Sequence, residues 1–427
     1  MEKFIIEGGH TLRGNVTVSG NKNEALPAIA ACILTEEPVI LRNVPRIGDV
    51  EILLDIMRHL GATVDELSRN DLRICCRDVK PTAIDPEKSA TLRAAILLAG
   101  PLLARFGYVK LPPPGGDVIG RRRLDPHFFA FKEMGAQVEV NKHFSISATH
   151  LTGRDIFLDE PSVTGTENAL MAATLAKGTT ILRNAACEPH VSGLVRMLAA
   201  MGAEISGIGT NQLTITGVQS LHGADHTIGA DFMEVGSYIV LAAVTHSEIT
   251  INHVNPEDLI VINTTFSRLG IRYEIDDNSV VVPANQKLEV VPDFAGDIPK
   301  IDDGPWPAFP TDLMSISIVA ATQANGAVLF FEKMYDGRMF FTDYLIGMGA
   351  RIVLCDPHRA VVVGPSQLYG AQLHSPDIRA GMALIIASLC AKGESIIYNV
   401  RQIDRGYENL DQKLQQLGAH IQRIGEC

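Results

Sequence analysis

The sequence lacks most of the features that mark secreted, membrane-bound or metal-clustered proteins. Its opening residues, Met1-Glu2-Lys3-Phe4-Ile5-Ile6-Glu7-Gly8-Gly9, have no basic lead, long apolar run or small-residue cleavage site, so a signal peptide is not expected. The most apolar stretches, Ala94–Leu103 and Tyr238–Val244, fall short of the roughly 20 apolar residues that a bilayer span needs. Cysteine is sparse and odd in number: Cys32, Cys75, Cys76, Cys187, Cys355, Cys390 and Cys427, with no C-x-x-C pair. Neither a disulfide framework nor a zinc site is expected, and a reducing, cytoplasmic compartment is. There is no G-x-G-x-x-G, P-loop, H-E-x-x-H or nucleophile elbow, which removes the common cofactor and metal classes. Positive charge is also short. With 37 Lys and Arg against 49 Asp and Glu, the net charge is −12. Such a surface repels nucleic acid and anionic membranes, so an anionic ligand has to be held by a focused pocket.

What is present is a repeat. The 427 residues are enough for two or three soluble domains. A helix closing on a Leu/Met-Gly turn before a strand recurs six times, as Leu60-Gly61-Ala62, Met134-Gly135-Ala136, Met201-Gly202-Ala203, Leu269-Gly270-Ile271, Met348-Gly349-Ala350 and Leu417-Gly418-Ala419. The glycines suit helix C-caps in the left-handed conformation. Each unit also carries a second helix, apolar nearly all round, that runs into a strand. These helices fall at Ala25–Leu34, Arg93–Leu103, Ala169–Ala176, Ser237–Val244, Leu313–Ala321 and Met382–Leu389. Such helices should be buried, while the charged Met-Gly helices lie outside. The pattern predicts two α/β domains, each with sheets wrapped around three buried helices. A solenoid is the alternative, but its repeats are usually about 20–50 residues long.

The chemistry must lie where the units differ. The entries to the buried helices are polar, and three carry cations: Lys22, Arg93 and Arg379. A cation sits badly at the positive end of a helix dipole unless an anion binds there. One such side chain can snorkel to solvent; several at equivalent points of one repeat favour an anion site. The loop Pro112-Pro113-Pro114-Gly115-Gly116-Asp117-Val118-Ile119-Gly120-Arg121-Arg122-Arg123 joins stiff prolines, free glycines, an acid and three arginines. That composition suits a mobile lid or a solvated surface loop alike. Two further turns, Asp336-Gly337-Arg338 and Asp404-Arg405-Gly406, bring more cations, each readable as a turn with its own Asp–Arg pair.

Six segments, in order, resemble the UDP-N-acetylglucosamine 1-carboxyvinyltransferase family, and the resemblance runs essentially end to end. They are Gly20–Pro27, Gly115–Gly120 with the following arginines and Asp125 to His127, Phe309–Leu313, Asp336–Phe340, Asp377–Ala380 and Ile403–Glu408. The resemblance implies an inside-out α/β barrel with two domains of three repeats each. Domain I would span 22–229 with its lid at 112–123; domain II would join 1–21 to 230–427. The implied reaction moves the enolpyruvyl group of phosphoenolpyruvate onto the 3-hydroxyl of UDP-N-acetylglucosamine and releases phosphate, without metal or organic cofactor. The implied partners are these two small molecules, with no nucleic acid and no membrane.

The same resemblance implies the site. Asp312 would be the base near the sugar hydroxyl and Asp117 the acid for the phosphoenolpyruvate methylene. Lys22, Arg122, Arg338, Arg379 and Arg405, with Arg93 nearby, would cradle phosphate and carboxylate. Asn23 would orient the sugar. Arg123, Leu124, Asp125, Pro126 and His127 look like the uridine-binding stretch, and Ser162 and Val163 like part of the diphosphate site. Met334 would also contact substrate, and Asp377 would support Arg379. The chain departs from the pattern at Asp117, where most members carry Cys. A carboxylic acid can donate the same proton if a closed site raises its pKa. Retained activity, a more acidic pH optimum and insensitivity to fosfomycin are therefore expected. Glu160 and Gln402 also depart, at places where a basic residue and a His are common; diphosphate affinity is the property they put in question. The sister enzyme acting on shikimate 3-phosphate usually begins its site G-S-K-S, whereas Asn23 follows Lys22 here. A non-catalytic sugar-nucleotide binder would have no need for Asp312 beside such a cradle.

Overall fold

The computed structural model describes residues 2–81, 84–116 and 119–425. The chain forms two compact units. One comprises Gly20–Asp117 and Arg122–Gly229, the other Met1–Ser19, Val118–Arg121 and Ala230–Cys427. Each has its own hydrophobic core, around Ile29, Leu97, Leu170 and Leu198 in the first and Tyr238, Val319, Ile385 and Leu410 in the second.

Three apolar helices fill each core. The first unit holds α1 (Lys22–Ala31), α2 (Ala99–Phe106) and α3 (Val163–Ala173). The second holds α4 (Phe232–Val244), α5 (Met314–Gln323) and α6 (Ile378–Cys390). Every residue of α4 is buried, so its sequence shows no polar stripe. Sheets cover these helices, placing helices inside and strands outside in each unit: the inside-out α/β arrangement.

Among the described residues, five of the six sheets share one plan: a parallel pair, then two antiparallel neighbours. In the first unit Asp225–Thr227 lies parallel to Val39–Arg42, followed by Leu72–Cys75 and Thr63–Glu66. Asp155–Phe157 begins a second such sheet beside Thr179–Arg183. The third has three strands, Tyr108–Leu111, Phe144–Ser147 and Gln137–Val140. In the second unit the chain start supplies strands to two sheets. Arg13–Thr17 runs parallel to Glu248–Asn252, and Lys3–Glu7 inserts antiparallel between Glu394–Tyr398 and His420–Ile424, with Ile5 opposite both Ile396 and Gln422. The chain then passes from one unit to the other near residue 20 and returns near residue 230.

The six Leu/Met-Gly turns end the outer helices Gly48–His59, Asp125–Glu133, Pro189–Ala200, Ile260–Arg268, Thr342–Gly347 and Leu410–Gln416. All six repeat glycines have positive φ, between 77° and 106°. A second positional rule went unread in the sequence. Asn43, Asn184, His253 and Asn399 follow equivalent strands with φ between 55° and 62°, a conformation that Asn and His tolerate better than most residues.

The structure corrects some boundaries. Four buried helices, α1, α3, α4 and α6, start earlier than the apolar pattern suggested, because their polar entries already form the first turn. Arg93–Leu103 is not one α-helix but a 3-10 segment, Arg93–Leu98, followed by α2. The cause is Asn168 of α3. Its amide donates to Ile96 O at 2.9 Å, and its oxygen accepts from Gly100 N at 2.7 Å. The inserted side chain takes both groups of what would be an i→i+4 backbone bond.

Candidate active site

In the second unit the turn Thr311–Leu313 precedes α5 and presents Asp312. Its Oδ1 accepts from Arg338 Nη2 at 2.5 Å, and its Oδ2 from Arg379 Nε at 2.9 Å. Both arginine side chains are almost wholly buried, 7% and 6% exposed, against 20% for Asp312. Burial is the largest single influence and opposes the charge on each guanidinium, but Asp312 and the other neighbouring groups, Asp377 and Glu332 for Arg338, Tyr407 and Asp231 for Arg379, together outweigh it, and both arginine pKa values lie above the ordinary value. Arg338 also stands over the Tyr335 ring and Arg379 over the Tyr407 ring, at 5.3 and 5.5 Å. The pair retains unused capacity. Arg338 Nε and Arg379 Nη1 are buried without a hydrogen-bond partner among the described residues. Buried donors are usually satisfied, so two open ones beside a single carboxylate describe a cradle suited to a further anion.

α6 begins at its cap, Asp377, whose Oδ1 accepts from Arg379 N at 2.8 Å and Ala380 N at 3.0 Å. Asp377 thus supports Arg379 through the backbone. Arg405 Nη1 donates to Gln402 Oε1 at 2.8 Å, while Asp404 pairs with Arg423. Arg338 turns to Asp312, and Asp336 lies 3.2 Å from His358 Nε2. The 336–338 turn is therefore not closed by its own Asp–Arg pair. Met334 is partly exposed, and its N–H donates to Glu332 Oε1 at 3.0 Å. Ile119 O accepts from Gly337 N at 3.0 Å, and Gly120, at φ 127°, leaves so little room that a Cβ would come within 3.0 Å of Asp336 N.

In the first unit Asn21 caps α1, and Lys22 opens it. Lys22 does not snorkel to solvent. It is buried, and its Nζ lies 2.6 Å from Asp49 Oδ2, itself 4% exposed. Asp49 is in the first turn of the outer helix Gly48–His59, where the helix dipole also favours an acid. Sequence reasoning missed it; an acid opening the neighbouring helix of the same repeat was the available signal. Asn23 is partly buried beside Lys22. Arg93 Nη2 donates to the carbonyls of Arg122 and Arg123, at 2.7 and 3.1 Å, and so ties down the backbone of residues 122–123.

Arg122 Nη1 would lie 3.6 Å from a Cβ built on Gly116. Arg123 reaches three acids, Asp125 at 3.2 Å, Asp159 at 2.9 Å and Glu160 at 3.6 Å. Leu124 and Pro126 frame the start of the helix Asp125–Glu133. His127 is fully buried, bonded to Asn168 at 2.8 Å and Thr164 at 3.1 Å. Burial first, then the Arg93 charge, pull its pKa down to about 3, so the ring is neutral near pH 7. Ser162 caps α3 through Gly165 N at 3.2 Å, and Val163 is its first residue. Asp117, the expected acid, lies outside the described residues.

Among the described residues one trio could offer three metal-ligand atoms within 4.8 Å, namely Glu7, His10 and His420. The two imidazoles already face the Glu7 carboxylate at 3.5 and 3.2 Å. None of the three belongs to the Asp312 or Lys22 clusters. No described helix is long and apolar enough to cross a membrane.

Comparison with known proteins gives consistent results. The family model for EPSP synthase (3-phosphoshikimate 1-carboxyvinyltransferase) matches residues 6–414. The chain is 55% identical over 422 residues to the UDP-N-acetylglucosamine 1-carboxyvinyltransferase of Treponema denticola, covering 99% of each chain. It is 55% identical over 424 residues to the enzyme of the same name from Bradyrhizobium diazoefficiens, covering 99% of this chain and 98% of that one. Among solved structures, the enolpyruvyl transferase NikO from Streptomyces tendae matches with a TM-score of 0.88 at 22% identity, covering 100% and 99%. EPSP synthase from Acinetobacter baumannii matches with a TM-score of 0.77 at 18% identity, covering 100% of both. At those identities the structures speak to the fold.

Proposed function

The chain belongs to the UDP-N-acetylglucosamine 1-carboxyvinyltransferase family of enolpyruvyl transferases, and we propose that it joins phosphoenolpyruvate to the 3-hydroxyl of UDP-N-acetylglucosamine in the first committed step of peptidoglycan synthesis. The observation that carries this reading is Asp312 held between two buried arginines that keep unused N–H donors. A carboxylate so placed can take a proton while the same guanidiniums hold an anionic donor substrate.

The proposed chemistry is addition followed by elimination. Asp312 takes the proton of the sugar 3-hydroxyl as its oxygen bonds to C2 of phosphoenolpyruvate. Asp117 supplies a proton to C3, giving a tetrahedral phosphate-bearing intermediate. Loss of a proton from C3 and of phosphate from C2 then restores the double bond. Lys22, Arg93, Arg122, Arg338, Arg379 and Arg405 hold phosphate and carboxylate as their charge shifts, and Asn23 orients the sugar. The 123–127 stretch and Ser162-Val163 take the uridine diphosphate. The two enolpyruvyl transferase domains are assigned as 22–229, with its lid at 112–123, and 1–21 plus 230–427. The acceptor follows the 55% identity to sugar-nucleotide enzymes rather than the 18% identity to EPSP synthase.

The test is phosphate release from phosphoenolpyruvate with each acceptor. Release that requires UDP-N-acetylglucosamine is expected. Release driven by shikimate 3-phosphate instead, or binding of the sugar nucleotide without release, overturns the assignment.

A further inference from the structure

Beneath the Asp312 cluster lies a pair of carboxyl groups to which the mechanism assigns no part. Glu332 follows the strand Gly326–Phe331, and Asp303 follows Lys300–Asp302. Both are buried, at 0% and 1% exposed. Glu332 Oε1 accepts from Met334 N and Tyr335 N, both at 3.0 Å, and Thr311 Oγ1 lies 2.9 Å from Oε2. Asp303 Oδ1 accepts from Lys333 N at 2.6 Å, while its Oδ2 is buried without a partner among the described residues. Burial makes the ionised form of the Glu332 carboxyl group costly, and the neighbouring Asp303 adds to that cost.

The contacts of Glu332 give the pair a purpose. One side reaches Thr311, the residue before Asp312. The other holds the backbone of Met334 and Tyr335, which leads to Arg338. The two ends of the Asp312–Arg338 ion pair are thus tied to one carboxyl group. We propose that Glu332 is a positioning residue that holds Asp312 and Arg338 in register for catalysis. This rests on the function proposed above.

The charged surroundings set the direction of the pH effect. Facing Glu332 are Asp303, Thr311 and Arg338; the Glu332 carbonyl accepts from His358, which also faces Asp336; Lys333 is turned to Asp302. Burial, then the hydrogen bond and charge of Asp303, raise the Glu332 pKa to about 8, while Arg338 and Thr311 oppose the rise. Between the usual carboxylate range and about 8 the folded chain therefore holds a proton that the unfolded chain has lost. The stability linked to this proton is full below the usual carboxylate range and disappears as pH rises through about 8.

The experiment compares wild type, Glu332→Gln and Glu332→Ala in two readouts, thermal unfolding and kcat, each from pH 5 to 9. Glu332→Gln keeps a neutral side chain of the same length. Its kcat near pH 7 should stay within about threefold of wild type, and both its alkaline loss of kcat near pH 8 and its fall in Tm with rising pH should shrink. Glu332→Ala should lose kcat on the order of 10–100-fold, the scale of a misplaced catalytic group. Asp117, the proposed acid, is unchanged in all three proteins and so cannot account for a limb that only Glu332→Gln removes. Unchanged pH profiles in Glu332→Gln, or wild-type kcat in Glu332→Ala, overturn the proposal. If wild type shows no sugar-dependent turnover, the functional reading fails instead, and the Tm profile still tests the proton.

Discussion

Lys22 and Asp49 show how a buried pair can carry stability at a position proposed to bind substrate. A lysine opening a buried helix opposes the helix dipole, and Asp49 at 2.6 Å compensates it inside a nearly dry pocket. Asp49→Ala leaves that cation without its carboxylate. The expected cost is about 3–5 kcal/mol, the usual penalty for breaking a buried pair, to be read from urea unfolding. A loss below about 1 kcal/mol would place the pair with weak surface bridges. Asp117 carries the second prediction at this scale. A carboxyl group offers no thiolate, so fosfomycin is expected to leave turnover unchanged after long preincubation; covalent labelling in the 112–123 loop would contradict this. Lys22 and Asp117 were singled out in the sequence, but the partner Asp49 was not. Asp312 and Arg379 lie 67 positions apart, and only the packing of α5 beside α6 brings them together.

At the scale of elements, the buried helices were readable because hydrophobicity on all sides leaves few other places for a helix. Their starts were less readable. Lys22, Asn23 and Glu24 look like loop residues, yet Asn21 caps them into the first turn of α1. The break before α2 could not be read at all, since Asn168 causes it from another repeat. The repeat glycines allow a sharper test of the helix–turn–strand joints. Gly418 has positive φ, but a Cβ there would meet no atom within 4 Å; at Gly61 it would come within 2.6 Å of Asp78 O. Gly418→Ala should therefore cost only the backbone term, about 1–2 kcal/mol. Gly61→Ala should cost at least roughly 1 kcal/mol more, because a backbone carbonyl must also move. Equal losses in chemical unfolding would mean that close approach contributes nothing at these turns.

For the whole molecule, sixfold periodicity gave the α/β class and the number of buried helices, and each unit does hold three. Periodicity says nothing of chemistry, because the site residues are the positions where the repeats differ. Recognising them depended on six ordered segments rather than on any one motif. The packing then added what the segments could not: Asp49 beside Lys22, the buried carboxyl groups of Asp303 and Glu332 near Asp312, and two arginines with donors to spare.

The central claim is that Asp312 and Asp117 move the two protons of an enolpyruvyl transfer. The most direct measurement is mass-spectrometric detection of the enolpyruvyl sugar nucleotide after mixing phosphoenolpyruvate and UDP-N-acetylglucosamine with wild type, Asp312→Asn and Asp117→Asn. The account predicts product from wild type and rates lower by about 10²–10⁴-fold in each variant, the usual contribution of a general acid or base. Wild-type rates in Asp312→Asn, with substrate binding intact, would contradict it.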